Sequence, residues 1–235
     1  MMLSSEQTSV MIAHMRNSLM SKAAHVRYTA EKCFNLREHM LCSAGQCREH
    51  AGQLSPLQNK QYSLMGNILR DGEDKKEKAQ GNRLLTLVQE QYRMSGLIEL
   101  QLGSVASGLM RSADALLFSL LKAQHYQWRD RLYMAVLAGE AADVMSKETE
   151  CPLGHWLHGE GALRFKGLPG YRELNDCHHE MHTVAEALFT RLLAAMPATG
   201  LEQLLQGVED VSQRLIVALE CLDNRVALLY PENVG

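Results

Sequence analysis

Apolar residues recur at spacings of three and four along most of this 235-residue chain, a periodicity that leaves little room for anything but helices. Ile98, Leu102, Val105, Leu109, Ala113, Leu116 and Leu120 form one series. Leu201, Leu204, Leu205, Val208, Val211, Leu215, Ala218 and Leu222 form another. Each is the trace of one buried helical face. No convincing period-two segment competes with them, β-branched runs are scarce, and only five prolines occur, at 56, 152, 169, 197 and 231. The pattern predicts an all-α fold, with helices near 5–50, 57–70, 78–145, 172–196 and 201–229.

The breaks between these helices are legible. Ser55-Pro56 is expected to end the first, and the mixed-charge run Asp71–Lys78 reads as a solvated turn or helix start. A break of the long third helix at Gly96 or Gly108 stays open. The stretch from Cys151 to Gly170 holds five glycines and two prolines, which predicts irregular backbone. This divides the chain into a helical N-terminal region of unknown role, 1–80, and a helical bundle, 81–235.

Composition narrows the function classes. A formal net charge of -3 with no Lys/Arg run offers no basic surface for nucleic acid or for an anionic bilayer. Met1 to Val10 is polar, so no secretory signal is expected, and no run of about 20 apolar residues suggests a membrane span. The expectation is a cytoplasmic protein. There the six cysteines (33, 42, 47, 151, 177 and 221) are reduced thiols, available for metal binding or redox chemistry and not a disulfide framework. The thirteen methionines are scattered, as adaptable core fillers are, and not clustered for copper.

The chemistry concentrates around His178-His179-Glu180-Met181-His182 on the fourth predicted helix. Residues four apart share a helix face, so His178 and His182 can aim their imidazoles at one point. Upstream, His125 and Trp128 share a face, and Cys151-Pro152-Leu153-Gly154-His155-Trp156-Leu157 lies between the two helices. Three imidazoles and one thiolate (His125, Cys151, His178 and His182) complete a tetrahedral zinc shell with no vacant position, which suits a structural or sensory site better than hydrolysis. A metalloprotease H-E-x-x-H motif does not occur: Glu180 follows His179, but His179 and His182 are only three apart. A di-iron site has one fitting pair, His182 and Glu186, and lacks a second on the long helix.

The segment Leu120–Tyr133, with His125/Trp128, Cys151/Leu153/Gly154/Trp156 and His178/His182 in that order, resembles the chemoreceptor zinc-binding (CZB) domain. Gly159-Glu160-Gly161 and Leu168–Leu174 are similar to that family's linking segments, so the resemblance spans about 115–195. It implies a four-helix-bundle zinc domain preceded by an additional helical region, zinc on three His and one Cys, and a sensory role in bacterial chemotaxis receptors or diguanylate cyclases. It also favours a homodimer, which would cover the apolar stripe from Ile98 to Leu120. The chain carries neither a receptor signalling hairpin nor a G-G-[DE]-E-F cyclase motif, so the signalling partner is unknown and no enzymatic activity is expected.

Other candidates read more blandly. His179 points about 100° from His178 and should face water or another helix. His155 and His158 read as exposed loop residues, Trp128 and Trp156 as core anchors, and Cys177 as a packed thiol that could exchange with Cys151 after oxidation. Cys33, His39, Cys42, Cys47 and His50 are poorly aligned for a second metal site. Two functions remain: a zinc sensor regulated by occupancy or by the redox state of Cys151, or a zinc-stapled interaction module that senses nothing.

Overall fold

The computed structural model describes residues 5–71, 75–138, 147–190 and 196–230, and among these there is no strand. The elements are α1 (Ser5–Asp71), α2 (Lys75–Ala138), α3 (Pro152–His158), α4 (Glu160–Phe165), α5 (Tyr171–Thr190) and α6 (Ala198–Ala227). The all-α expectation holds.

Two boundaries differ from the expected ones. α1 runs unbroken through Pro56. An interior proline removes one hydrogen bond and costs about 3 kcal/mol, a local loss that a 67-residue helix with buried side chains on both flanks, Ala44 and Gln58, absorbs. α2 likewise passes Gly96 and Gly108 without a break. The stretch 151–170 is irregular only in part: it holds two short helices, with turns at 166–170. Pro152 sits in the first turn of α3, where proline is favoured because that N–H has no helical partner anyway. The parts of the expected helices at 139–145 and 191–195 lie outside the described residues.

The residues group into two compact units, Met1–Arg37 with Asp114–Leu229, and Glu38–Ala113 with Tyr230–Gly235. The first unit is a bundle of α1, α2, α5 and α6. Its core joins the predicted α6 stripe, with Val208, Val211, Leu215, Ala218 and Leu222 all buried, to Leu117, Phe118, Leu120, Leu121 and Leu132 of α2 and Leu174, Met181, Ala185 and Leu188 of α5. Of the predicted α2 stripe only Leu120 is buried in this unit, and Leu116 is half-buried. Polar pairs fix antiparallel neighbours. Arg129 of α2 meets Glu209 of α6 at 2.7 Å, Arg214 of α6 meets Glu180 of α5 at 2.6 Å, and Gln127 of α2 donates to the Ala23 carbonyl of α1 at 3.1 Å.

Short α3 and α4 are held onto this bundle by rings and charges. Trp156 packs edge-on against Phe118, with centroids 5.6 Å apart, and Phe165 completes the cluster. Arg164 of α4 grips the buried carboxylate of Asp114 with two hydrogen bonds, 2.7 and 2.6 Å, and bonds Glu160 at 2.9 Å. Arg37 of α1 also bonds Glu160. The Tyr171 hydroxyl donates to the Leu157 carbonyl. Gly170, at φ 91°, makes the left-handed turn into α5 that a side chain would resist.

In the second unit, α1 and α2 meet through a tilted Tyr62–Tyr92 pair with centroids 6.0 Å apart. Here the first half of the Ile98–Leu120 stripe is open: Ile98 and Val105 are exposed, as are Leu87 and Leu100 nearby. α2 also contains a stretch within Gly81–Leu137 long and apolar enough, by length and composition only, to cross a membrane, with 39% of it buried in the fold. That amends the expectation of none. The apolar residues are interleaved with small polar ones, so no continuous run reveals them in the sequence.

Candidate metal centre

The start of α3 places Cys151. Its backbone is extended (φ −72°, ψ 157°), it N-caps α3, and its Sγ accepts the Gly154 N–H at 3.2 Å. Position 154 has no room for a side chain: a Cβ there would lie 1.8 Å from the Glu148 carbonyl oxygen and 3.2 Å from Cε1 of His178. The glycine therefore lets the 147–151 turn, α3 and α5 close on one another.

α5 supplies the imidazoles. His178 and His182, one turn apart, face each other edge to plane with centroids 4.9 Å apart. Cys151 Sγ is 3.0 Å from His178 Nε2, and one ligand atom from each of Cys151, His178 and His182 falls within 4.8 Å of the others. Sulfur and nitrogen on a tetrahedral zinc ion stand about 3.6 Å apart, so these side chains need move only slightly to hold one. The donor set also suits the metal, a soft thiolate with imidazoles.

The surroundings support that fit. His178 Nδ1 is buried without a hydrogen-bond partner, and Glu148 Oε1 stands 3.9 Å from it. Ligating histidines commonly turn their second nitrogen to a carboxylate, and Glu148 occupies that place. Its other oxygen meets His179 Nδ1 at 2.8 Å. Burial holds His178 down to about 4, with the neighbouring His182 adding to the effect. His182 is lowered by burial too. Both shifts favour the neutral imidazole, the form that binds a metal. Burial pushes the Cys151 thiol up, opposed by the N–H groups of Gly154 and Leu153.

His125 reaches the same cavity but not the 4.8 Å cluster. Its Nε2 is 2.8 Å from Ser212 Oγ on α6, and its ring stacks on Trp128, which in turn lies 5.7 Å from the His182 ring. Burial, then the Arg129 charge, brings His125 to about 4.

The remaining candidates fall where their spacing puts them. His179 is exposed, turned away from the cluster toward Glu148. His155 and His158 are exposed, although on α3 and not in a loop. Trp128 and Trp156 are buried. Cys177 is buried in a different cavity, beside Arg214 and Gly170, so it does not face Cys151. Cys33, His39, Cys42, Cys47 and His50 form no metal cluster among the described residues. Glu148 and Ser212 were missed. A lone serine inside the buried stripe of α6, between Val211 and Leu215, is the signal that could have found the second; nothing in the sequence marks the first.

A helical bundle holding a Cys–His–His cluster, with Cys151 and His178 buried and His182 half-buried, defines a small metal-binding domain with a sulfur donor. Residues 125–189 match the family model described as the chemoreceptor zinc-binding domain. The match spans the whole cluster, and the metal such a domain binds is zinc. This family is one of zinc-binding signalling domains and is not a catalytic one. No curated protein and no solved structure matches the chain.

Proposed function

We propose that this chain is a cytoplasmic zinc sensor: His125, Cys151, His178 and His182 hold one Zn²⁺, and its occupancy or the redox state of Cys151 sets the packing of the bundle. A chemotaxis-type or cyclic-di-GMP signalling partner reads that packing. The observation that carries the reading is the approach of the Cys151 thiol to the His178 imidazole, 3.0 Å apart and closed off from water. His125 supplies the fourth ligand through Nδ1 while Ser212 keeps Nε2 engaged, the orientation an outer hydrogen bond gives a ligating histidine.

The chemistry of Cys151 couples the two inputs. Without metal, burial favours the inert thiol. Zinc, when bound, keeps the sulfur as thiolate, the form that oxidants attack. Occupancy thereby decides whether the site can respond to oxidant at all. The exposed apolar residues Ile98 and Val105 on α2 support a homodimer, which light scattering at low-micromolar concentration tests.

Mild hypochlorous acid or peroxide applied to the zinc-loaded protein tests the sensor. Alkylation and mass spectrometry should find Cys151 oxidised before Cys33, Cys42 and Cys47, with zinc released in step and helical circular dichroism retained. Earlier reaction of the N-terminal thiols, or zinc loss that coincides with global melting, leaves the zinc as a structural staple.

A further inference from the structure

In the second unit α2 carries two seams of seven-residue repeat, displaced from each other by one position and so about 100° apart on the helix. Leu85, Val88, Leu102, Ala106 and Leu109 belong to the inner seam and are buried or half-buried. The outer seam holds Leu84, Leu87, Met94, Ile98 and Val105, with Gln91 and Gln101 in the same series, and all of these are exposed. No charged residue interrupts it. A helix with one neighbour needs one apolar face, and a second face marks the place of a second helix. Beside the buried face of α1 the equivalent positions, Ser43, Gln46, His50 and Gln53, are polar and exposed, which confines the open seam to α2. Its apolar side chains, with Leu97 on the shoulder, expose on the order of 500 Å², more than scattered surface residues account for. The two glutamines bring the strip to the roughly 600 Å² per partner at which specific interfaces begin.

The order of residues along the seam points to its occupant. From Leu87 to Val105 it runs Leu, Gln, Met, Ile, Gln, Val at spacings of four, three, four, three and four, a pattern of apolar and amide positions that reads the same in both directions about Gly96. A second α2 laid antiparallel across a two-fold axis at that point sets Leu87 against Val105, Gln91 against Gln101 and Met94 against Ile98. Apolar side chains then meet apolar ones, and each amide meets an amide that can both donate and accept. The ion pair of Arg93 with Glu90, at 2.6 Å, stands on the shoulder of the stripe, where a lipid-facing surface would not carry it. We propose that α2 pairs antiparallel with α2 of a second copy along Leu84–Val105, so that the second units of two chains build one four-helix assembly. The Gln91–Gln101 pairs fix its register, as polar residues inside an apolar seam do. The pairing rests on the homodimer of the reading above, to which it gives a surface and a direction, and it does not rest on zinc.

Analytical ultracentrifugation of the full chain tests it, with zinc content and circular dichroism measured alongside. Wild type should be a dimer at low-micromolar concentration. Gln91→Lys/Gln101→Lys sets ammonium against ammonium and should weaken the dimer about tenfold or more. Both positions are exposed, so helix and zinc content should hold. Gln91→Lys/Gln101→Glu sets opposite charges together in an antiparallel pair and like charges together in a parallel one, so it should stay a dimer. Cys151→Ala should stay a dimer as well, which separates the pairing from the metal centre. The proposal is overturned if wild type sediments as a monomer, or if Gln91→Lys/Gln101→Lys dimerises with wild-type affinity, since another surface then joins the copies. It is overturned equally if Gln91→Lys/Gln101→Glu dissociates like the double lysine variant, or if folded Cys151→Ala is monomeric. Binding of wild type to phosphatidylcholine vesicles that the double lysine variant loses would overturn it too, the stripe then facing lipid. A wild-type dimer that takes up no zinc counts against the sensor and leaves the pairing standing.

Discussion

Replacing Gly154 by alanine should damage the metal centre more than a methyl added at any other glycine among the described residues whose surroundings are given. The new Cβ would sit 1.8 Å from the Glu148 carbonyl oxygen, against the roughly 3.2 Å that carbon and oxygen tolerate, so about 1.4 Å must be recovered by moving backbone. The obstacle is a carbonyl, not the flexible end of a side chain. Overpacking of this kind costs about 1–3 kcal/mol, and the upper end is expected here. In a chain of this size that is a fall in Tm of about 6–12 °C for the metal-free protein. The same displacement pulls Cys151 Sγ from its 3.2 Å bond with the residue-154 N–H and disturbs its 3.0 Å approach to His178. Zinc affinity should drop about 10–100-fold, as when an outer partner of a metal ligand is lost. Differential scanning fluorimetry and competition against a chromophoric chelator read the two effects. Gly167→Ala is the control, because a Cβ there meets nothing within 4 Å. Wild-type affinity and melting in Gly154→Ala would refute the argument that close approach of backbone builds the site.

Three further outcomes are expected. Alanine at His125, Cys151, His178 or His182 should weaken zinc binding by more than the roughly 10–100-fold cost of losing an outer partner, whereas His179→Ala should bind normally; normal zinc content in Cys151→Ala would remove the thiolate from the shell. The metal-free protein should lose stability between pH 6.5 and about 4, because His125 and His178 stay neutral when folded while their unfolded forms take up protons. Each contributes about 3 kcal/mol by the bottom of that range, with no effect above pH 7, and a Tm that stays flat or rises on acidification contradicts the burial argument. Arg164→Gln strips the guanidinium from the buried Asp114 carboxylate and should cost about 3–5 kcal/mol, most of it recovered by adding Asp114→Asn, as paired thermal melts will show.

Periodicity placed the helices and the buried face of α6 but not that of α2, whose Ile98 and Val105 are exposed, and contacts between distant residues were not legible. The α6 stripe Val208, Val211, Leu215 and Leu222 is buried as its spacing predicts, and His178 and His182 converge because four residues make about one turn. Glycine and proline misled at 151–170, where they were read as chain breakers. Pro152 starts a helix, and Gly154 makes room for a neighbouring carbonyl. Pro56 misled in the same way, since α1 continues through it. Cys151 was legible only through its motif, because nothing in spacing alone brings a residue 27 positions away to His178. The engagement of His125 with Ser212 crosses 87 positions and was invisible for the same reason.

The cap that Cys151 makes on α3 bears on why a cysteine stands there at all. A sulfur is a mediocre helix cap, and serine would do that task better. If ending the helix were the only demand, the position would be open to several small polar residues. Cys151→Ser thus separates two roles that the wild-type atom fills together: the helix start stays wound, while the soft, oxidisable donor disappears. One sulfur at the turn into α3 ties the start of a helix to the donor set of the site, and a substitution there reads the two out separately.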